Sequence, residues 1–204
     1  MDVAFSRRFV LDFLERTHFA DRFPPRTAPP VVEAKARDIM RSWKLDISET
    51  TFEQYFVIGL DIGYAAYQHT PHAVQVATTL FTVCAALCDD VVATDIQAMR
   101  EFIPRICTGQ PQLDPILSHF IEMASEVRKY LPDYTANMVH TCMMGFANEE
   151  LCIRQDVNQL TLKPDAGTYI KYSRYKNGLS EIFAACIWPS TMCPDVAEYI
   201  QAFP

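Results

Sequence analysis

PHAVQVATTLFTVCAALCDDVVATD, residues Pro71 to Asp95, decides how the rest of the chain is understood. No charge interrupts the run from Ala73 to Cys88, after which Asp89 and Asp90 stand side by side. Pro71 suits a first helical turn, because the N–H it lacks would have no intrahelical partner there. The spacing therefore predicts a helix that starts at Pro71. Its apolar residues fall on every side, as in a helix enclosed by protein at the centre of a domain. The run is short for a membrane span and holds Gln75, Thr78, Thr79 and Thr82, so no transmembrane segment is expected.

The two aspartates stand at the unfavourable end of this helix. A helix C-terminus carries roughly half a negative elementary charge, and each exposed carboxylate there costs on the order of 0.3–1 kcal/mol. One explanation is that a buried helix simply emerges into water at this point. The other is that a cation offsets the repulsion; carboxylate oxygens are hard ligands suited to Mg2+.

Composition narrows the function classes. The chain has 204 residues, half of them hydrophobic and only six glycine, which suits one packed domain and argues against disorder. A formal net charge of -7 with no basic run excludes electrostatic binding to nucleic acid or to anionic lipid. Any anionic ligand then needs a local cationic site. Seven cysteines, an odd number without CxxC spacing, indicate free thiols of a reducing compartment rather than zinc ligands. MDVAFSRRFVLDFLERTHF mixes charge through what would have to be an apolar signal, so a cytoplasmic location is expected.

Outside the central run the pattern is helical throughout. An amphipathic helix is predicted over residues 3–19, followed by FPPRTAPP, Phe23 to Pro30, whose prolines make an extended connection. Further helices are expected from about Val31 to Trp43, from Ser48 as N-cap to Gln68, over Ile96 to Ile106, Ile116 to Tyr130 and Tyr134 to Asp156. His69 and His72 flank Pro71 as polar caps rather than metal ligands. No strand alternation or repeat emerges, so the fold class is all-α.

TYIKYSRYKNGLSEIFAACIWP, Thr168 to Pro189, holds the second constellation. Arg174, Asn177, Gly178 and Glu181 fall at i, i+3, i+4 and i+7, the spacing of one helical face. Gly178 costs roughly 1 kcal/mol within a helix, which indicates a break or a close backbone approach. A plain surface face with an Arg174 to Glu181 pair is the simpler alternative.

Together these residues resemble a known family. LCDDVV at the end of an uncharged helix resembles the aspartate-rich metal motif DDxxD of class I terpene cyclases, and HTPHAVQVATTLFTVCAALCDD is similar to the fungal trichodiene synthase branch. SRYKNGLSE resembles that branch's diphosphate-sensing segment. The resemblance runs from roughly Glu53 to Pro189, with the two segments in family order. It implies a class I terpenoid synthase-like helical bundle, residues 1–204 forming a single domain, with Mg2+ as cofactor. It implies Asp89 as the leading metal ligand, with Asp90 beside it and Asp95 as the remaining metal candidate. Arg174 would be the diphosphate sensor, Asn177 the linker and Gly178 the backbone effector.

The family's third aspartate is replaced by Ala93, which would share a helical face with Asp89. Asp95 comes two positions later, off that face unless the helix has ended. Thr78, Phe81, Thr82 and Ala85 lie on the Asp89 side of the central helix. Phe81 and Thr82 are thus expected to line an apolar cavity, where a ring face stabilises a cation.

The expected reaction is Mg2+-dependent ionisation of farnesyl diphosphate followed by carbocation cyclisation. The family's second metal motif, N/D-D-x-x-S-x-x-x-E, has no counterpart in these residues, so the bundle is expected to be incomplete at its C-terminal end. An inactive remnant acting as a binding or interaction protein is the alternative. A chain-elongating prenyl diphosphate synthase, which carries two aspartate-rich motifs, fits less well. An incomplete bundle exposes apolar surface, which favours a homodimer.

Overall fold

The computed structural model describes residues 3–17, 27–156 and 166–202; the first part of the proline-rich stretch, with residues 18 and 19 of the expected first helix, lies outside them. Among the described residues there is no strand. Among the described residues nine α-helices follow one another: α1 Val3–Arg16, α2 Pro30–Ser42, α3 Glu49–Tyr67, α4 His72–Asp90, α5 Ile96–Thr108, α6 Pro115–Arg128, α7 Asp133–Asp156, α8 Gly167–Asn177 and α9 Leu179–Ala185. Short 3-10 turns occupy Val92–Thr94, Val196–Glu198 and Ile200–Ala202.

Local chemistry sets the helix starts. Ser48 accepts a hydrogen bond from the Thr51 N–H at 3.1 Å and opens α3, while Asp114 accepts from Ile116 N–H at 2.7 Å and opens α6 ahead of Pro115. Pro71 is the N-cap residue of α4, one position before the helix proper.

The uncharged run forms the centre of the bundle. Every residue of α4 from Val74 to Ala85 is buried, as are Leu87 and Cys88. Length and apolar composition alone would let α4 cross a membrane, but most of it is enclosed by the other helices. Helices α2, α3 and α6 pack directly on it. The α3 contact is the tightest: a Cβ on Gly63 would lie 2.2 Å from the Thr79 hydroxyl oxygen, so only glycine lets the two backbones approach this closely.

A second layer is built on α7, against which α5, α6, α8 and α9 pack. Aromatic rings join the layers. Phe81 of α4 lies 5.2 Å from Phe120 of α6, which meets Phe146 of α7 edge-on at 5.8 Å. Phe183 of α9 lies edge-on to Phe81 at 6.1 Å. Burying each such ring stabilises the fold by about 1.5–3 kcal/mol. At the N-terminal end of α4, Tyr67 donates to the Phe183 carbonyl at 2.8 Å and His69 bonds the Ile187 carbonyl at 2.9 Å, which ties α3 and its connection to α9.

Candidate functional site

The acid pair at the foot of α4 is divided between two neighbours. Asp90 accepts a hydrogen bond from the Tyr55 hydroxyl of α3 at 3.0 Å. Asp89 turns to α7. There Arg154 Nη2 donates to the Asp89 backbone carbonyl at 2.8 Å and lies 3.5 Å from its carboxylate, while Arg154 Nε is 3.8 Å from Glu150. The Asp89 side chain is 51% exposed, that of Arg154 39% and that of Glu150 only 6%. Burial, and then the neighbouring Asp89 carboxylate, push the Glu150 carboxyl up to about 7.

Glu150 and Arg154 are the site residues that sequence reasoning missed. The one available signal was NEELCIR, an acid pair on a long packing helix followed by a base four residues on.

The remaining acid has another duty. α4 ends at Asp90, and Ala93 falls in the 3-10 turn Val92–Thr94, so the helical-face relation expected between Asp89 and Ala93 does not arise. Asp95 opens α5 by accepting from the N–H groups of Gln97 at 3.0 Å and Ala98 at 3.3 Å. Among the described residues, no three His, Cys, Asp or Glu side chains converge as a metal site. Asp89 and Glu150 form a two-carboxylate set.

The continuous face expected from Arg174 to Glu181 is broken. Asn177 ends α8, Gly178 takes the left-handed conformation with φ 70°, and α9 begins at Leu179. The break has two physical reasons. That φ favours glycine, and a Cβ there would lie 2.8 Å from Cys142 Cβ on α7. Asn177 Oδ1 accepts from the Leu179 N–H at 3.4 Å. The Gly178 carbonyl accepts from Glu181 and Ile182 at 3.1 and 3.4 Å, so it serves as the first acceptor of α9.

Helix α8 runs antiparallel along α7. Gly178 meets Cys142, Lys176 crosses Gly145, Ser173 donates to Glu149, and Tyr169 reaches Cys152. Ser173 and Glu149 face each other across this seam. With about 100° per residue in right-handed helices, their successors Arg174 and Glu150 turn to the same side of it. Arg174 is exposed and makes no ion pair among the described residues; Glu181 accepts instead from the Cys142 thiol at 3.5 Å.

Phe81 and Thr82 are covered. Phe81 is 1% exposed beneath Phe120 and Phe183, and the Thr82 hydroxyl donates to the Thr78 carbonyl at 2.7 Å within its own helix. A cleft of about 240 Å3 lies elsewhere, on the side of α4 that carries Ala73, Val76 and Leu80, and is closed by Lys35, Met123 and Tyr130.

No protein-family profile matches the chain. Individual relatives do. Monoterpene synthase 25 of Postia placenta is 31% identical over 204 residues, covering 99% of this chain and 60% of that protein. Terpene synthase 29 of the same fungus is 23% identical over 181 residues, 88% of this chain and 52% of its own length. Terpene synthase BipA of Cochliobolus sativus is 27% identical over 153 residues, 74% and 47% of the two chains. This chain thus spans about half to three fifths of the length of these relatives. The similarities support a general relation to fungal terpene synthases without singling out the trichodiene synthase branch, and the all-helical fold of the described residues agrees with a class I terpenoid synthase-like bundle.

Proposed function

We propose that residues 1–204, similar over 99% of the chain to one fungal terpene synthase, form one helical unit that binds Mg2+ and an isoprenoid diphosphate for ionisation and cyclisation. The observation that carries this reading is the meeting of Asp89, from the end of α4, with buried Glu150 of α7, both beside Arg154; helical geometry directs Arg174 to the same side of the α7/α8 seam.

The donor set fits the metal. Mg2+ takes one or two protein carboxylates and completes its shell with water and substrate phosphates, and two converging carboxylates supply that requirement. Asp89 and Glu150 would hold it, with Asp90 kept beside them by Tyr55. When bound, the ion supplies positive charge that stabilises the departing diphosphate.

The chain's own residues do the rest. Arg174, which has no ion-pair partner among the described residues, offers its fork of N–H donors to phosphate oxygens. As the bond between the allylic carbon and the diphosphate oxygen breaks, the electron pair leaves with the diphosphate, and the preorganised guanidinium counters the growing charge. Asn177 and Gly178 fix where α8 stops and hence where Arg174 stands. Asp95 holds the start of α5 rather than the ion.

Farnesyl diphosphate is the substrate expected from the trichodiene-like segments. Since the relative matched along the whole chain is named a monoterpene synthase, geranyl diphosphate belongs in the same assay. Purified protein is incubated with each diphosphate, with and without Mg2+, and released diphosphate and volatile products are measured. The expected result is Mg2+-dependent release that falls by orders of magnitude in Asp89→Asn and Arg174→Met. Binding of inorganic diphosphate is measured in parallel. Mg2+-dependent binding that Arg174→Met abolishes, without turnover, would retain the site and assign this chain a binding role. Absence of both would overturn the reading.

A further inference from the structure

We infer that Arg154 is an internal counter-cation of the acid pair, which a divalent ion must displace before it can occupy Asp89 and Glu150. The inference rests on the reading of those two residues as cation ligands.

The position of the guanidinium carries it. The C-terminal end of α4 concentrates three negative features: the helix dipole, the Asp89 carboxylate and the adjacent Asp90. Arg154 answers the first two at once, donating to the terminal Asp89 carbonyl at 2.8 Å and standing 3.5 Å from its carboxylate. It also lies 3.8 Å from Glu150, one turn back on its own helix. The compensation that the sequence demanded at this end is therefore supplied by a side chain 65 residues away.

A guanidinium and a divalent ion cannot both sit between these carboxylates, since charges of one sign only a few ångströms apart repel strongly where solvent is partly excluded. Geometry makes the guanidinium the one that yields. Its side chain is 39% exposed, so it can swing outward without moving the helix. Glu150 is buried and held by the body of α7. Arg154 thereby sets a threshold on cation loading.

The test is direct binding of Mn2+ to the full chain, followed by the electron paramagnetic resonance of the free ion. Arg154→Met should tighten Mn2+ binding by about three- to fivefold, the scale set by a half-exposed ion pair, and Arg154→Lys, which loses the fork and keeps the charge, by less. Lys35→Gln, which removes one charge beside Ala73 at the other end of α4, should leave affinity unchanged. Circular dichroism and a cooperative unfolding transition check that each variant folds, and the Lys variant serves if the Met variant does not. Unchanged or weakened Mn2+ affinity in a folded Arg154 variant, with binding still lost in Asp89→Asn, would overturn the counter-cation and leave the ligand pair standing. Mn2+ binding that ignores Asp89→Asn would remove both.

Discussion

Replacing Glu150 with glutamine isolates the electrostatics of the site in one measurable quantity. Glu150 titrates near 4.5 when unperturbed and is pushed up to about 7 in the folded protein, by burial first and Asp89 second. Between those two values the folded chain holds a proton that the unfolded chain has released. Native stability therefore falls as pH rises through this window and stops changing above it. At 1.36 kcal/mol per unit, the upper bound is roughly 3 kcal/mol. Solvent around half-exposed Asp89 screens part of this, which leaves about 1–2 kcal/mol.

Glutamine has the size of the protonated acid and offers an N–H donor to Asp89 at every pH. Glu150→Gln should therefore match the parent at pH 5 and exceed it by about 1–2 kcal/mol at pH 8. Urea denaturation in chelator at pH 5, 6, 7 and 8 reads the difference directly, with other titrating groups cancelling between the two proteins. Adding Mg2+ at pH 8 should narrow the gap, because only the parent gains from relief of carboxylate repulsion. An equal difference at pH 5 and pH 8, or a variant that is weaker at pH 8, would refute the reasoning.

Three further outcomes follow from the packing. Gly178→Ala combines a disfavoured backbone conformation with a clash against Cys142 and should cost about 2–4 kcal/mol in urea unfolding. Gly63→Ala should cost about 1–3 kcal/mol, part of which returns when Thr79→Ala removes the hydroxyl it strikes, as a double-mutant cycle measures. Asp95→Asn should preserve both stability and Mn2+ binding, whereas Asp95→Ala should lose about 1 kcal/mol of stability with binding unchanged.

What the sequence made legible was local. Ser48 and Pro71 mark the starts of α3 and α4 because their effect acts within one turn of chain. The uncharged run to Cys88 announces a buried helix because burial on all sides leaves no room for charge. The need for a positive charge near Asp89 could be read from its misplacement on a helix dipole. Glu150 and Arg154 could not, since their meaning depends on the 65-residue separation that the fold closes. Gly178 signalled a break through its composition, but the contact with Cys142 that makes glycine obligatory belongs to another helix. Phe81 was expected on a cavity wall, and Phe120 and Phe183, both far along the chain, are what cover it. Asp95 was legible in principle: an aspartate just ahead of a new helix caps it, and no metal was needed to account for it.

The two ends of α4 are fastened by different kinds of bond. Near Pro71 the ties are hydrogen bonds to backbone carbonyls: Tyr67 to that of Phe183 and His69 to that of Ile187. Near Asp89 the tie to α7 is ionic and partly bathed in water. Dissolved salt weakens only the second kind, since counter-ions shield exposed charges over about 10 Å at 0.1 M and leave hydrogen bonds to backbone carbonyls intact. The molecule is thus a clasp with one end responsive to its medium: as ionic strength climbs, amide protons around the Asp89 terminus should exchange faster while those beside Thr70 keep their pace.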